Sequence, residues 1–382
     1  MKRIGVIFLV ICLLAGMLPM GVSAAEADIP AKSALLMDVA TGTVLYEQNA
    51  HEALAPASVT KVMTMLLIME ALDAGRIGWE DPVTASETAA AKGGSQIYLK
   101  VGETMSVSDM LKSIAVSSAN DCACAMAEHI SGSESAFVEA MNRRAEELGM
   151  KDTHFVNCTG LDDDADAKNH LTSAYDIALM SRQLMKYHPD IKKFTTIWMD
   201  TVRNGAFGLS NTNKLVRFYN GATGLKTGFT SQAGYCLSAT AEREGMELIA
   251  VVMGCETSAK RFAACKALLD QGFANYAVVK PETSGETTVP VTLGVSDTVT
   301  AVPATQDAIL IDKAQKNTVT TQITMDPEVA APVSQGQRLG IMTVKAGDRV
   351  LAEIPMVASQ PVAKLTFGQI FRIVMEYICM AR

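Results

Sequence analysis

Strand-like segments stand at both ends of residues 33–276, with helical ones between them. At the front, 34–38 and 42–46 read as a hairpin turned at Ala40-Thr41-Gly42. At the back, apolar runs at 234–241 and 247–255 are joined by a turn at Arg243-Glu244-Gly245, and 260–276 is helical. Helices are expected between them at 59–74, which Gly75 is placed to end, and at 108–116, 122–130, 135–148 and 173–187. This order predicts one antiparallel sheet closed by the two ends of the stretch, with a helical layer alongside.

From about Val279 the texture changes. Short β-branched segments at 287–293, 298–302, 308–311, 318–325, 338–344 and 349–357 are separated by Gly, Pro, Asp or Lys, with a hairpin turn at Ala346-Gly347-Asp348. Residues 279–361 are therefore expected to form a small all-β domain. It contains no histidine and no concentrated acidic cluster, which makes it a spacer or protein-contact module and not a seat of chemistry. The last stretch, 362–382, carries an amphipathic helix. Thr366, Gln369, Arg372 and Glu376 form one narrow polar stripe, and Phe367, Ile370, Phe371, Ile373, Val374, Tyr377, Ile378 and Met380 cover nearly all the rest. Too charged and too short to span a bilayer, such a helix can lie in the membrane interface, or pack on the protein or a twin subunit.

Lys2 and Arg3, the apolar run 4–20 and the small residues Val22-Ser23-Ala24 read as a signal peptide over 1–24, so the chain is expected to be exported. An uncleaved N-terminal anchor is the other reading, and it too leaves the cytoplasm. The formal net charge of -8 argues against a nucleic-acid partner. It leaves room for a carboxylate substrate, which needs only a local cationic pocket. Beyond Cys12, the cysteines 122, 124, 158, 236, 255, 265 and 379 match neither a zinc site nor a disulfide framework, and read as buried thiols. No metal and no cofactor are implied.

Three short motifs occur once each: Ser58-Val59-Thr60-Lys61, Ser118-Ala119-Asn120 and Lys226-Thr227-Gly228. Taken singly, Ser58 is an ordinary helix-capping serine, and Ser118-Ala119-Asn120 an ordinary helix cap. Together they supply a nucleophile, a base, a proton relay and an anchor for a carboxylate. Ser58 heads the first long helix, and a three-residue spacing sets Lys61 beside it. A serine hydroxyl needs a base, and lysine serves only as the free amine, which desolvation or a nearby cation such as Lys226 favours. Ser118 and Asn120 lie in a tight link between two helices, where a hydroxyl can relay a proton and an amide can hold a peptide bond. Lys226 and Thr227 are expected just before the first back strand, facing a cleft, with Gly228 letting a substrate backbone approach.

The trio, its order and its context resemble the penicillin-recognising serine acyl-transferases, and most closely the low-molecular-mass D-alanyl-D-alanine carboxypeptidases (peptidase family S11). The text 221–230 resembles that family's third motif, and Asn211-Thr212-Asn213 before it matches too. The resemblance covers nearly the whole chain after the leader. It implies an α/β (α+β) catalytic domain of the serine β-lactamase/transpeptidase type over 25–278, followed by the all-β domain and the amphipathic helix. It implies Ser58 as acylated nucleophile, Lys61 as its base, and Ser118 and Asn120 as the second motif. Lys226 and Thr227 would bind the substrate's terminal carboxylate with help from Arg261, and the N–H groups of Ser58 and Phe229 would form the oxyanion hole. The implied substrate is a peptidoglycan stem peptide ending in D-Ala-D-Ala, with β-lactam antibiotics as covalent inhibitors. The implied location is the outer face of the cytoplasmic membrane.

One position departs from the pattern. Some members carry a histidine before Gly160-Leu161-Asp162, where this chain has Thr159, while Asp176 matches a loop aspartate of those members. Among rival readings, the common serine β-lactamase adds a glutamate between the second and third motifs. Residues 160–226 contain seven Asp and no Glu. A D,D-transpeptidase shares the machinery, and an inactive wall-binding module is disfavoured by the intact trio.

Overall fold

The computed structural model describes residues 29–163, 166–281, 283 and 287–380, so the expected signal peptide lies outside the described residues. The first region is built on a five-stranded antiparallel sheet. Its order is Val44–Gln48, Ser33–Asp38, Met246–Cys255, Gly234–Arg243 and Ala222–Thr230. The front hairpin and the back strands meet as expected, with Leu35 opposite Val251 and Met37 opposite Ile249.

Alternation along these strands divides their side chains between two layers. Leu35, Met37, Ile249 and Val251 face the larger core beneath the helices Lys61–Asp73, Val107–Ser117, Asn120–Ser131 and Ala174–Tyr187. Leu36, Leu248, Ala250 and Val252 face the helix Ser258–Asn275 on the other side, against Leu268, Leu269 and Phe273. The helix Lys61–Asp73 is buried nearly all round, as its apolar text KVMTMLLIMEALD demands, and so forms the axis of the helical layer.

One correction concerns the third motif. The sequence places it ahead of the first back strand; it is itself a strand, Ala222–Thr230, at the sheet edge. Two glycines and a lysine inside that strand hide it from a hydrophobic-alternation reading.

The second region carries a six-stranded sheet around its own core of Val289, Val299, Leu339, Met342, Val344 and Met356. Its longest hairpin, Arg338–Ala346 with Arg349–Ala358, turns at Gly347, whose φ is +57°. The strand Tyr276–Val279 pairs with Ile309–Asp312, stitching the two regions together. The terminal helix Phe367–Met380 has no buried residue. Among the described residues no helix is long and apolar enough to cross a membrane.

Candidate active site

Residues Ala57–Thr60 make a single tight 3-10 turn that runs into the helix Lys61–Asp73. Ala57 takes a left-handed conformation, φ +49°, immediately before Ser58. Lys61 Nζ lies 3.0 Å from Ser58 Oγ and donates to the Thr159 carbonyl at 2.7 Å. Its side chain is fully buried, and desolvation lowers its pKa to about 7, against the opposing fields of Cys158 and Asp121. Near neutral pH roughly half of such a lysine is free amine, able to take a proton from the serine.

The second motif sits where the helices Val107–Ser117 and Asn120–Ser131 meet. Ser118 bridges them with φ +63°, and its buried Oγ has no hydrogen-bond partner among the described residues. The Asn120 side chain donates to Gly93 O at 2.7 Å, while its buried Oδ1 likewise has no partner among them. Asp121 fastens the neighbouring loop by accepting from the backbone N–H groups of Ile97 and Leu99.

The third motif's edge strand lies directly on the Ser58 turn. A Cβ on Gly228 would stand 2.6 Å from Pro56 O and 3.1 Å from Val59 N, so the protein's own backbone already requires glycine there. Lys226 is buried and donates to Thr227 O at 2.8 Å. Desolvation, then the nearby positive charges of Lys61 and Arg261, hold its pKa well below the usual lysine range. Thr227 Oγ1 donates to Thr212 Oγ1 at 2.7 Å. Thr212 in turn donates its N–H to Val116 O at 3.1 Å, and Asn213 Nδ2 donates to Gly224 O at 2.8 Å. The segment 211–213 thus ties the third motif to the helix that leads into the second.

Arg261 reaches this strand from the opposite face of the sheet. Its guanidinium donates to Gly228 O at 3.0 Å and Cys236 O at 3.3 Å, and lies over the Tyr235 and Phe262 rings. The Phe229 ring is half-exposed and stacks on Tyr235, with ring centroids 4.3 Å apart.

Several groups at this site carry no mark in the sequence. Asn157 Oδ1 accepts from the N–H groups of Thr159 and Gly160, shaping the loop that offers its carbonyl to Lys61. Gly160, at φ +79°, presses against Ala57 O. His170 is buried and reaches Thr60 Oγ1 at 2.7 Å. These residues lie about a hundred positions from Ser58, and a lone Asn, Gly or His has no spacing signal to read. Asp176 is occupied elsewhere: its Oδ2 accepts from Asp152 N and Thr153 Oγ1. Six of the cysteines, 122, 124, 158, 236, 255 and 265, are buried free thiols, and Cys379 is free and exposed.

The chain matches known families in both regions. A family model described as D-alanyl-D-alanine carboxypeptidase covers residues 20–257, and one described as the penicillin-binding protein 5 C-terminal domain covers 273–364. A D-alanyl-D-alanine carboxypeptidase of Bacillus subtilis, DacF, is 45% identical over 343 residues, 88% of this chain and 87% of the relative. The crystal structure of penicillin binding protein 5 from Haemophilus influenzae superposes with a TM-score of 0.73 at 32% identity, covering 88% of this chain and 98% of that one. Penicillin-Binding Protein D2 from Listeria monocytogenes in its ampicillin-bound form gives a TM-score of 0.59 at 34% identity, covering 65% and 99%. With the three motifs converging on one turn, one helix junction and one edge strand, and with these matches over both regions, the chain belongs to the D-alanyl-D-alanine carboxypeptidase family.

Proposed function

We propose that this protein is a serine-type D-Ala-D-Ala carboxypeptidase that trims peptidoglycan stem peptides through an acyl-enzyme on Ser58. The observation that carries the roles is the buried Lys61 amine, 3.0 Å from Ser58 Oγ and brought down to about 7 by desolvation. Lys61 takes the hydroxyl proton as Ser58 Oγ attacks the carbonyl carbon of the penultimate D-alanine. The tetrahedral oxyanion is received by the N–H groups of Ser58 and Phe229. The bond to the last D-alanine breaks, and Ser118 relays the proton from Lys61 to the departing amine. Water then hydrolyses the ester and frees the trimmed peptide and Ser58.

Lys226 and Thr227 serve the terminal carboxylate of the substrate and Asn120 the peptide bond, while Arg261, expected to help with that carboxylate, holds the carbonyls of the strand that carries them and of its neighbour. An arriving carboxylate favours the ammonium form of Lys226, which in turn favours the free amine on Lys61. Substrate binding therefore readies the base. Lacking histidine at Thr159, the chain carries out deacylation without that group.

A β-lactam is expected to take the substrate's place, a reading supported by the ampicillin-bound form of the Listeria relative. Penicillin should add its mass to the protein at one serine, and peptide mapping should find that serine at Ser58. A protein with no adduct, or with one elsewhere, contradicts the assignment.

The terminal helix is proposed to lie in the membrane interface, holding the enzyme on the outer face of the cytoplasmic membrane with the β domain as spacer. Its support is the exposure of Phe367, Phe371, Tyr377, Ile378 and Met380 on a helix too short to span. The chain ending at Leu365 should lose sedimentation with phosphatidylglycerol vesicles while keeping its penicillin acylation rate. Equal sedimentation of both forms contradicts the membrane role.

A further inference from the structure

We infer that His170, acting through Thr60, is a positioning residue for the oxyanion hole: it fixes the plane of the Ala57–Ser58 peptide so that the Ser58 N–H points into the cleft. This rests on the reading of Ser58 as nucleophile and hole donor, and goes beyond it to His170, which no motif contains, and to Thr60, a motif position with no assigned role.

The hydrogen bonds leave one proton arrangement. Thr60 Oγ1 lies 2.8 Å from the Ala57 carbonyl, which can only accept, so the single threonine hydroxyl proton goes there. His170 Nε2, 2.7 Å from the same Oγ1, must then donate. His170 Nδ1 accepts from the Val156 N–H at 3.1 Å. The ring is thus held in the neutral tautomer with its proton on Nε2. Burial agrees, lowering the His170 pKa to about 4, with His154 and Lys61 adding to the shift.

What this relay holds is the turn's least relaxed peptide. Ala57 sits at φ +49°, in a region that costs a non-glycine residue energy and needs outside support. The peptide unit is planar and trans, so its C=O and N–H point in opposite directions. Anchoring the Ala57 carbonyl on Thr60 therefore sends the Ser58 N–H the other way. Gly160 closes the same carbonyl from outside: a Cβ there would lie 1.9 Å from Ala57 O and 2.7 Å from Thr60 Oγ1. Without the His170 proton, the Thr60 hydroxyl loses the partner that aims it, and the peptide can rotate.

Two substitutions separate positioning from packing. In His170→Asn the Oδ1 stands near the place of Nδ1 and can still accept from Val156, but nothing reaches Thr60. In His170→Gln the amide nitrogen stands near the place of Nε2 and can still donate to Thr60. The readouts are the acylation rate constant and the non-covalent dissociation constant for a fluorescent penicillin, with the melting temperature alongside. His170→Asn is expected to lose roughly 10- to 100-fold in acylation, approaching the loss of one oxyanion donor, with its dissociation constant unchanged. His170→Gln is expected to recover most of that rate. Thr60→Val, which keeps the volume and lacks the hydroxyl, should match His170→Asn, and carries the test if that protein does not fold. Native acylation by His170→Asn or Thr60→Val overturns the inference, as does loss of rate that merely follows melting temperature across the set. Ser58→Ala, run in parallel, should take no label. Label on Ser58→Ala defeats the nucleophile assignment, whereas unchanged His170 and Thr60 variants beside a silent Ser58→Ala defeat the positioning role alone.

Discussion

Lys61→Met is expected to slow penicillin acylation by about 10²- to 10⁴-fold, the usual range for losing a general base. Methionine keeps the straight-chain volume in a fully buried site and introduces no new charge, so the fold should survive. The native enzyme should show the same amine in its pH profile. Only unprotonated Lys61 can take the Ser58 proton, and burial brings its pKa to about 7. Acylation should therefore rise as pH increases through about 7 and level off above it. Stopped-flow acylation across pH 5–9, for native protein and variant, measures both effects. A native profile flat across neutrality, or a Lys61→Met protein acylating at the native rate, contradicts the assignment of this base.

Gly160→Ala should disable the site from a position that touches no substrate. The added carbon would lie 1.9 Å from the Ala57 carbonyl, a backbone atom that no rotamer change can move aside. The φ of +79° penalises any side chain as well. Relief requires the loop 157–160 to withdraw, and that loop supplies the carbonyl bound by Lys61 Nζ at 2.7 Å. We expect a loss of about 3 kcal/mol in stability, within the range for special backbone positions. Acylation should fall at least about tenfold, since small misplacements of reacting groups are costly. Thermal melting and stopped-flow acylation check the two expectations, and a variant native in both contradicts the close packing of this loop on the Ser58 turn.

Much of the architecture was legible in the sequence. The sheet closes between Ser33–Asp38 and Met246–Cys255 because both strands are continuous apolar runs, covered on two faces, and such runs show in any hydropathy reading. The helix Lys61–Asp73 and the alternating strands of the second region were visible for similar reasons. The strand Ala222–Thr230 was not, since its glycines answer to close contacts with Pro56, Val59 and Thr195 and break the hydrophobic pattern. Short pairs such as Pro82–Thr84 with Thr104–Ser106, or Met199–Val202 with Phe207–Ser210, were missed as well. They carry too few apolar residues to announce themselves.

The site divides along the same line. Residues proposed to act through their own chemistry sit in short motifs: Ser58 with Lys61, Ser118 with Asn120, Lys226 with Thr227. Their convergence depends on groups that work by contact: Asn157 shaping its loop, the Thr159 carbonyl on Lys61, Asn213 on Gly224, His170 behind Thr60. Such roles belong to distances between remote segments, which spacing along the chain does not encode. Arg261 shows the difference in a single residue. Its identity was legible, but its grip on the carbonyls of Gly228 and Cys236 from beneath the sheet emerged only from the fold.

The central claim is that Ser58, activated by Lys61, cleaves the last D-alanine from a stem peptide. Release of D-alanine from diacetyl-Lys-D-Ala-D-Ala, followed for native protein and Ser58→Ala under the same conditions, tests it most directly. The native enzyme should release D-alanine with repeated turnover, and Ser58→Ala should release none above the rate without enzyme. Release by Ser58→Ala at a rate near the native one would contradict the claim, as would a native protein that labels with penicillin yet frees no D-alanine.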